Sequence, residues 1–298
     1  MPRFARNDKW RLCCLCEEHS DEAISLLKTF ARGSIAINKD KWQNMGVSLI
    51  AVDIGNSSIN IGFFTEELFA QRIDTKPLLS ADEYSTLINK FIKEKNIDKT
   101  YEGVIISSVV PGHTDALEVA CKTLCRKEPL ILTHKLNTGI DFQINEPEKL
   151  GTDRIAASAG ACNLFGAPVA VTDFGTATTI NFIGSGNVYK GGAIMPGIGL
   201  MEKALFKETA QLPDIELSMP LTPLGKDTMG NILSGIIYGT AGAVDRIIAE
   251  VEGMEGERFK VVITGGYTEL VAPFLKRVDY TEPFLVLKGL KYIYERNS

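Results

Sequence analysis

The sequence lacks an excess of basic residues. It has 32 Lys and Arg against 37 Asp and Glu, which gives a net charge of −5. No run of Lys and Arg is long enough to follow a phosphate backbone, so we do not expect nucleic acid as a partner.

The sequence also lacks a disulfide framework and long apolar runs. Its 6 cysteines are scattered, as in reduced cytosolic proteins. No uninterrupted apolar run reaches the roughly 20 residues that cross a bilayer. Near the N-terminus, Glu17 and Glu18 close a short apolar patch, which does not resemble an export signal. These absences predict a cytoplasmic protein with no membrane partner.

The common nucleotide-binding signatures are absent as well. Gly225-Lys226 is followed by Asp227 and has Pro220 where a Walker A loop has its first glycine, which excludes a P-loop kinase. The glycine-dense residues 190–199 do not match the dinucleotide fingerprint. We interpret them as a loop packed against a ligand or a partner chain. The protein-kinase signatures are missing too.

The length of 298 residues suits two domains with a cleft between them. We expect these domains at residues 46–167 and 168–298. Residues 1–45 mix charge, both tryptophans and three cysteines, and they are predicted to be an appendage with a short helix around residues 21–30. Two explanations stay open for the appendage, a disordered extension and a start codon assigned too far upstream.

A strand, turn and strand pattern occurs twice. Residues 47–54 and 58–64 predict a hairpin around Gly55-Asn56, and residues 169–173 and 180–183 predict a second one. Each first strand ends in Asp, any residue and Gly, at Asp53 and at Asp173. Such a carboxylate can hold hydrated Mg²⁺, while the glycine lets backbone amides approach phosphate. Each Asp could instead cap its own turn, but the repetition favours a phosphate clamp built by internal duplication.

A third motif is Gly151-Thr152-Asp153-Arg154, at the start of a predicted helix rich in small residues. Amides at a helix N-terminus suit an anionic or hydroxyl-bearing ligand. Arg154 can bind a carboxylate or a phosphate, and Asp153 can accept a proton from a hydroxyl during phosphoryl transfer. The alternative is simple capping by Thr152 or Asp153, with Arg154 in a surface ion pair.

In this order, the motifs resemble those of type III pantothenate kinases, in the superfamily of acetate and sugar kinases, heat-shock 70 proteins and actin. The resemblance covers about residues 49–297. It lies in residues 53–56, 107–111, 151–154, 173–179, 191–192 with 196–197, Thr209 before 212–213, and 264–266. It implies an α/β fold of two actin-like, ribonuclease H-like domains, each a mixed sheet flanked by helices, with a cleft between the domains.

The resemblance also implies an activity, the ATP-dependent phosphorylation of the primary hydroxyl of pantothenate to 4′-phosphopantothenate, the first step of coenzyme A biosynthesis. Asp153 would accept the proton, Mg²⁺ would accompany the nucleotide, and K⁺ or NH₄⁺ would bind at Asp173. The implied enzyme is a homodimer whose partner helps close the substrate site. The implied ATP contacts are Asp53, Ile54, Gly55, Asn56, Ser57, Ser58, Ile59, Asn60 and Thr176, and the implied pantothenate contacts are Gly151, Thr152, Asp153, Arg154 and Thr209.

Two positions depart from the family pattern. The first hairpin reads Gly-Asn-Ser-Ser where Gly-Asn-Thr-Asn is more usual, and Ile144 stands where a tyrosine often lies near the substrate. Two other functions stay open. One is an actin-fold kinase of a sugar or polyol. The other is a non-catalytic transcriptional accessory protein, which the presence of Asp53, Asp153 and Asp173 disfavours.

Overall fold

In this computed structural model, the described residues are 48–97, 101–220 and 222–298. The described residues belong to one compact unit. The predicted appendage, with its helix around residues 21–30, lies outside the described residues.

The first sheet has the strand order β3-β2-β1-β4-β5. Strand β2 runs antiparallel to both β1 and β3, whereas β4 pairs in parallel with β1, and β5 in parallel with β4. A capping box of Ser80 and Glu83 starts the first of two covering helices, as the sequence predicts. The elements are β1 Leu49–Ile54, β2 Ser58–Phe64, β3 Leu68–Asp74, β4 Gly103–Ser108 and β5 Leu130–Ile131, with α1 Ala81–Lys95 and α2 Pro111–Cys125.

The second sheet repeats this arrangement. Its order is β11-β10-β7-β8-β9-β6, so β9-β8-β7-β10-β11 matches the first sheet strand for strand, and β6 adds one edge. This common topology agrees with the internal duplication expected from the two hairpin motifs. The strands are β6 Asp141–Phe142, β7 Val169–Phe174, β8 Ala177–Gly184, β9 Val188–Pro196, β10 Lys260–Thr264 and β11 Tyr280–Thr281.

Five further helices complete the layers. Helices α3 and α7 lie between the two sheets and share one apolar core with both, whereas α4, α5 and α6 cover the outer face of the second sheet. Gly160 and Gly289 allow α3 and α7 to cross closely, because a Cβ on Gly289 would overlap the Ala156 carbonyl. The helices are α3 Thr152–Phe165, α4 Ile198–Glu208, α5 Thr228–Glu255, α6 Thr268–Val271 and α7 Leu285–Glu295, with short 3-10 turns at Pro147–Lys149, Ser185–Asn187 and Ala272–Phe274.

The glycine-dense residues 190–199 were wrongly expected to form a loop. Most of them belong to strand β9, which pairs with β8 along its length. Gly192 lies opposite Asn181, and a Cβ on Gly192 would overlap the Ile180 carbonyl and crowd the Arg154 guanidinium. The glycine is therefore explained by close approach within a sheet. After β10, the chain forms the short helix α6 and then a 3-10 turn.

Helix α5 is the one described helix with the length and apolar composition to cross a membrane, although no apolar run of that length stood out in the sequence. Half of its most apolar window is buried. The buried residues, such as Ile237 and Val244, pack on the second sheet, and core helices of water-soluble folds often have this composition.

Candidate active site

A cleft of about 550 Å³ lies where the two hairpins face each other. Its walls come from the turns of both hairpins, the start of α3 and the segment after β10. The lining residues that carry the chemistry are Asp53, Gly55, Asn56, Ser57, Ser58, Asn60, Asp153, Asp173, Gly175, Thr176, Thr179, Thr264, Gly265 and Gly266.

The first hairpin presents its backbone to the cleft through a tight turn. The Gly55 amide donates to the Ser58 carbonyl at 3.0 Å, and the Thr75 hydroxyl donates to the Asn56 carbonyl at 2.9 Å. Asp53 lies at the base of this turn, where it accepts weak hydrogen bonds from Asn60 and Ser107, each at 3.4 Å. The turn is therefore braced by its own strands while its polar atoms face the cleft.

The second hairpin is packed tightly from behind. The Gly197 amide donates to the Thr176 carbonyl at 3.0 Å, and a Cβ on Gly197 would overlap that carbonyl. Gly265 has φ +101°, and a Cβ there would overlap the Asp173 carboxylate. The hydroxyls of Ser57 and Thr176 lie 2.8 Å apart, so the two hairpin turns touch across the cleft.

Three carboxylates, of Asp53, Asp153 and Asp173, converge on this cleft. Burial, followed by the charge of Asp153 and less strongly that of Asp173, raises the pKa of Asp53 to about 7, although hydrogen bonds from Asn60 and Ser107 oppose the rise. Burial, followed by the charge of Asp153, also raises the pKa of Asp173 to about 7. The uncompensated negative charge favours a bound cation, which would lower both pKa values.

The carboxylates of the cleft are also the candidate ligands of Mg²⁺. Among the described residues, no group of three or more His, Cys, Asp or Glu side chains forms a self-contained metal site. Mg²⁺ bound with a nucleotide needs only one or two carboxylates, since phosphates and water supply its other ligands. Asp53 and Asp173 meet that requirement.

Helix α3 directs Asp153 and Arg154 to different places. The N-cap residue is Gly151, and no side chain caps the helix, so the alternative of capping by Thr152 or Asp153 is wrong. Asp153 lines the cleft, and its Oδ1 accepts from the Arg154 amide at 2.9 Å. The Arg154 side chain instead donates to Asn181 and Tyr189, and among the described residues it forms no ion pair with a carboxylate.

A model of the type III pantothenate kinase family matches residues 49–250. A type III pantothenate kinase of Roseiflexus sp. (strain RS-1) is 39% identical over 252 residues, which are 84% of this chain and 99% of the relative. The chain belongs to the type III pantothenate kinase family. It is therefore a kinase.

A solved structure agrees with the fold of this member of the pantothenate kinase family. A Campylobacter jejuni protein described as a Baf family transcriptional activator superposes with a TM-score of 0.50 and 21% identity, over 83% of this chain and 98% of that chain. The ethanolamine utilization protein EutJ of Carboxydothermus hydrogenoformans gives a TM-score of 0.48 and 14% identity, over 91% and 99% of the two chains. The fold is the actin-like α/β class predicted from the sequence.

The structure places most of the residues expected for a pantothenate kinase in or beside the cleft. Asp53, Asn60 and Asp173 line it with the polar turn residues of both hairpins. The side chains of Ile54 and Ile59 are instead buried in the core under α1 and α2, so only their backbone can face a nucleotide. Gly151, Thr152 and Arg154 flank the cleft without lining it, and Thr152 accepts a hydrogen bond from Ser107 at 3.0 Å. The binding roles stay predictions.

Thr209 is not brought to this cleft. It follows α4, where its hydroxyl donates to the Leu205 carbonyl at 2.8 Å. There it lines a second, mainly apolar pocket of about 860 Å³ between α4 and α5. The single chain therefore places this predicted acceptor contact in a different pocket from Asp153.

Sequence reasoning missed two cations of the cleft, Arg72 on β3 and Lys203 on α4. The strand register could have found the first. Asp53 pairs with Asn60, and Asn60 pairs with Arg72, so the three side chains share one row and one face of the sheet. Lys203 had no comparable signal, because its position depends on how α4 docks.

Proposed function

We propose that the protein transfers the γ-phosphoryl group of ATP to the primary hydroxyl of pantothenate, forming 4′-phosphopantothenate and ADP, the first step of coenzyme A biosynthesis. The observation that carries the proposal is the position of Asp153. It stands on the first turn of α3, at the edge of a cleft formed by the two hairpins. Family membership specifies the acceptor.

The nucleotide would lie along the two hairpin turns. Gly55 and Gly175 leave the backbone of the two turns uncovered by a side chain, and the Ser57 and Thr176 hydroxyls meet beside the same space. Arg72 adds positive charge from strand β3 of the first sheet, and Lys203 adds it from α4. Mg²⁺ held with ATP near Asp53 and Asp173 would neutralise phosphate charge, and K⁺ or NH₄⁺ would bind beside Asp173.

Asp153 is proposed as the general base. Its carboxylate accepts the proton of the primary hydroxyl while the hydroxyl oxygen forms a bond to the γ-phosphorus and the bond from that phosphorus to the β,γ-bridging oxygen breaks. ADP leaves with that oxygen. Donors on both hairpins stabilise the charge that spreads over the transferred group.

The acceptor would extend from Asp153 to Arg154. Successive residues of a helix point about 100° apart. One pantothenate molecule can therefore present its hydroxyl to Asp153 while its carboxylate, at the other end, reaches Arg154. Ile144 is half-buried against the apolar core between the two sheets. Its apolar packing takes the place of a polar contact in the family pattern.

A homodimer is part of the proposal. The pocket that contains Thr209 is apolar and open, and large apolar side chains nearby are exposed, among them Leu200, Phe206 and Met229. A second copy covering this surface would bury them and would close the acceptor site from outside. The proposed location of the enzyme is the cytoplasm.

The sharpest test of the reaction is Asp153→Asn, which removes the proton acceptor and keeps the shape. Loss of a general base lowers kcat by roughly 10² to 10⁴, so we expect that loss with little change in the KM for ATP. ADP release is measured over a panel of hydroxylated acceptors, with and without K⁺, and circular dichroism verifies the fold. Near wild-type turnover by a folded mutant would refute the base, and turnover of other acceptors but not pantothenate would refute the substrate.

A further inference from the structure

Arg154 is held by two side chains that no sequence motif connects to it. Its Nε donates to Asn181 Oδ1 at 2.7 Å, and its Nη2 donates to the Tyr189 hydroxyl at 2.9 Å. Tyr189 in turn donates to the same Asn181 oxygen at 2.7 Å. The three groups thus form a closed ring of hydrogen bonds on the inner face of the second sheet.

The ring occupies one edge of the guanidinium and leaves the other. Nε and Nη2 form the side-on pair of donors, and both are used. Among the described residues, Nη1 has no hydrogen-bond partner. The end-on pair, which consists of Nη1 and the second N–H of Nη2, therefore stays available. That pair matches the two oxygens of a carboxylate.

Asn181 and Tyr189 are suited to hold an arginine without neutralising it. Both are uncharged, and they are 0% and 1% exposed. The Tyr189 ring also packs against the Phe142 ring, with 5.9 Å between the ring centroids. This contact fixes the position of the Tyr189 hydroxyl. A cation held rigidly by neutral, desolvated partners keeps its charge for a ligand.

Gly192 completes the arrangement from the neighbouring strand. It pairs with Asn181 across β8 and β9, and a Cβ at this position would lie 2.7 Å from Arg154 Nη2. Any side chain at Gly192 would therefore push the guanidinium off the ring. The strand, the ring and the arginine fit as one unit.

We propose that Asn181 and Tyr189 are positioning residues that fix Arg154 so that its free donor pair binds the carboxylate of the acceptor. The inference rests on the proposed function and adds to it the residues that set recognition of a carboxylate-bearing acceptor. Neither residue touches the acceptor itself, and both act through Arg154.

The test is a double-mutant cycle of Asn181→Ala with Arg154→Ala, supported by Tyr189→Phe. Because hydrogen bonds to charged groups contribute about 1.5 to 3 kcal/mol, we expect Asn181→Ala to raise the KM for pantothenate about tenfold or more. The kcat and the KM for ATP should stay within about threefold. In the Arg154→Ala background, Asn181→Ala should add less than about twofold.

A merely structural role predicts a different result. It would make the two substitutions additive, or would change kcat and both KM values together, and either outcome overturns the inference. Tyr189→Phe keeps the ring packing, so it reports on the hydroxyl alone if Asn181→Ala folds poorly. The matched control is Thr172→Val, which removes a buried hydroxyl with no described partner from the adjacent strand and should leave the KM for pantothenate unchanged.

The inference and the proposed function can fail separately. If the wild type phosphorylates a different carboxylate-bearing alcohol and not pantothenate, the proposed function is wrong and the cycle is measured with that alcohol. If every acceptor that it phosphorylates lacks a carboxylate, the positioning role is overturned as well.

Discussion

At the residue scale, the two buried carboxylates determine how the free protein responds to pH. Asp53 and Asp173 have a pKa of about 7 in the fold against about 3.9 in an unfolded chain. Between these values the folded state binds more protons than the unfolded state, so the stability of the ligand-free protein falls as pH rises from about 4 to 7. The cost of charging both groups is then fully present above pH 7.

Asp173→Asn should therefore stabilise the ligand-free protein at pH 8 while it abolishes turnover. We expect a melting temperature at least about 2 °C higher than wild type, since 1 kcal/mol corresponds to roughly 2 to 4 °C in a protein of this size class. The difference should shrink at pH 5. Thermal melts at both pH values measure it, and a mutant that melts lower than wild type at pH 8 would contradict the raised pKa.

Arg72 is a residue of the proposed nucleotide site that the structure reveals and the sequence motifs did not. Arg72→Ala removes a cation that faces Gly266 across the cleft, so we expect the KM for ATP to rise about tenfold with the KM for pantothenate unchanged. Steady-state kinetics with each substrate varied separates the two. Arg246→Ala is the control, because Arg246 lies in an exposed ion pair with Glu250 and does not line the cleft; an equal effect of both variants would argue against a specific contact.

At the scale of elements, local signals predicted the hairpins and helix α1, because a turn, a cap and an alternating strand act over a few neighbouring residues. Long-range contacts were not predictable in this way. Asn181 and Tyr189 are 27 and 35 residues from Arg154 in sequence, and their meeting depends on how α3 docks on the second sheet. Residues 190–199 were misread for the same reason, because the groups that leave no room for a side chain at Gly192, the Ile180 carbonyl and the Arg154 guanidinium, lie outside the segment.

Two glycines in helices provide a matched test of element packing. A Cβ on Gly289 would overlap the Ala156 carbonyl, whereas a Cβ on Gly253 meets nothing within 4 Å. Gly289→Ala should lower the free energy of unfolding by about 1 to 3 kcal/mol through overpacking, and Gly253→Ala should raise it by up to about 1 kcal/mol through helix propensity. Denaturant unfolding measures both, and equal effects would contradict the tight crossing of α3 and α7.

At the scale of the whole molecule, the proposed dimer places a second copy on α4 and α5. The wild type should therefore elute with twice the 32.6 kDa of one chain. Gly235→Glu puts a charge into the pocket of Thr209, at a position where a Cβ meets nothing within 4 Å. We expect a folded monomer with a raised KM for pantothenate, by light scattering and kinetics. Gly253→Glu, farther along the same helix, should stay dimeric, and a Gly235→Glu protein that stays dimeric would move the interface elsewhere.

The position of α7 has a consequence for how the protein is made. The helix fills the space between the sheets and packs on β1 and β4, although more than 200 residues separate it from β1 along the chain. Until α7 has been synthesised, apolar side chains on the inner face of the first sheet therefore stay exposed to solvent and to chaperones. A chain truncated before Leu285 should bind chaperones strongly, whereas the released chain that contains α7 should not.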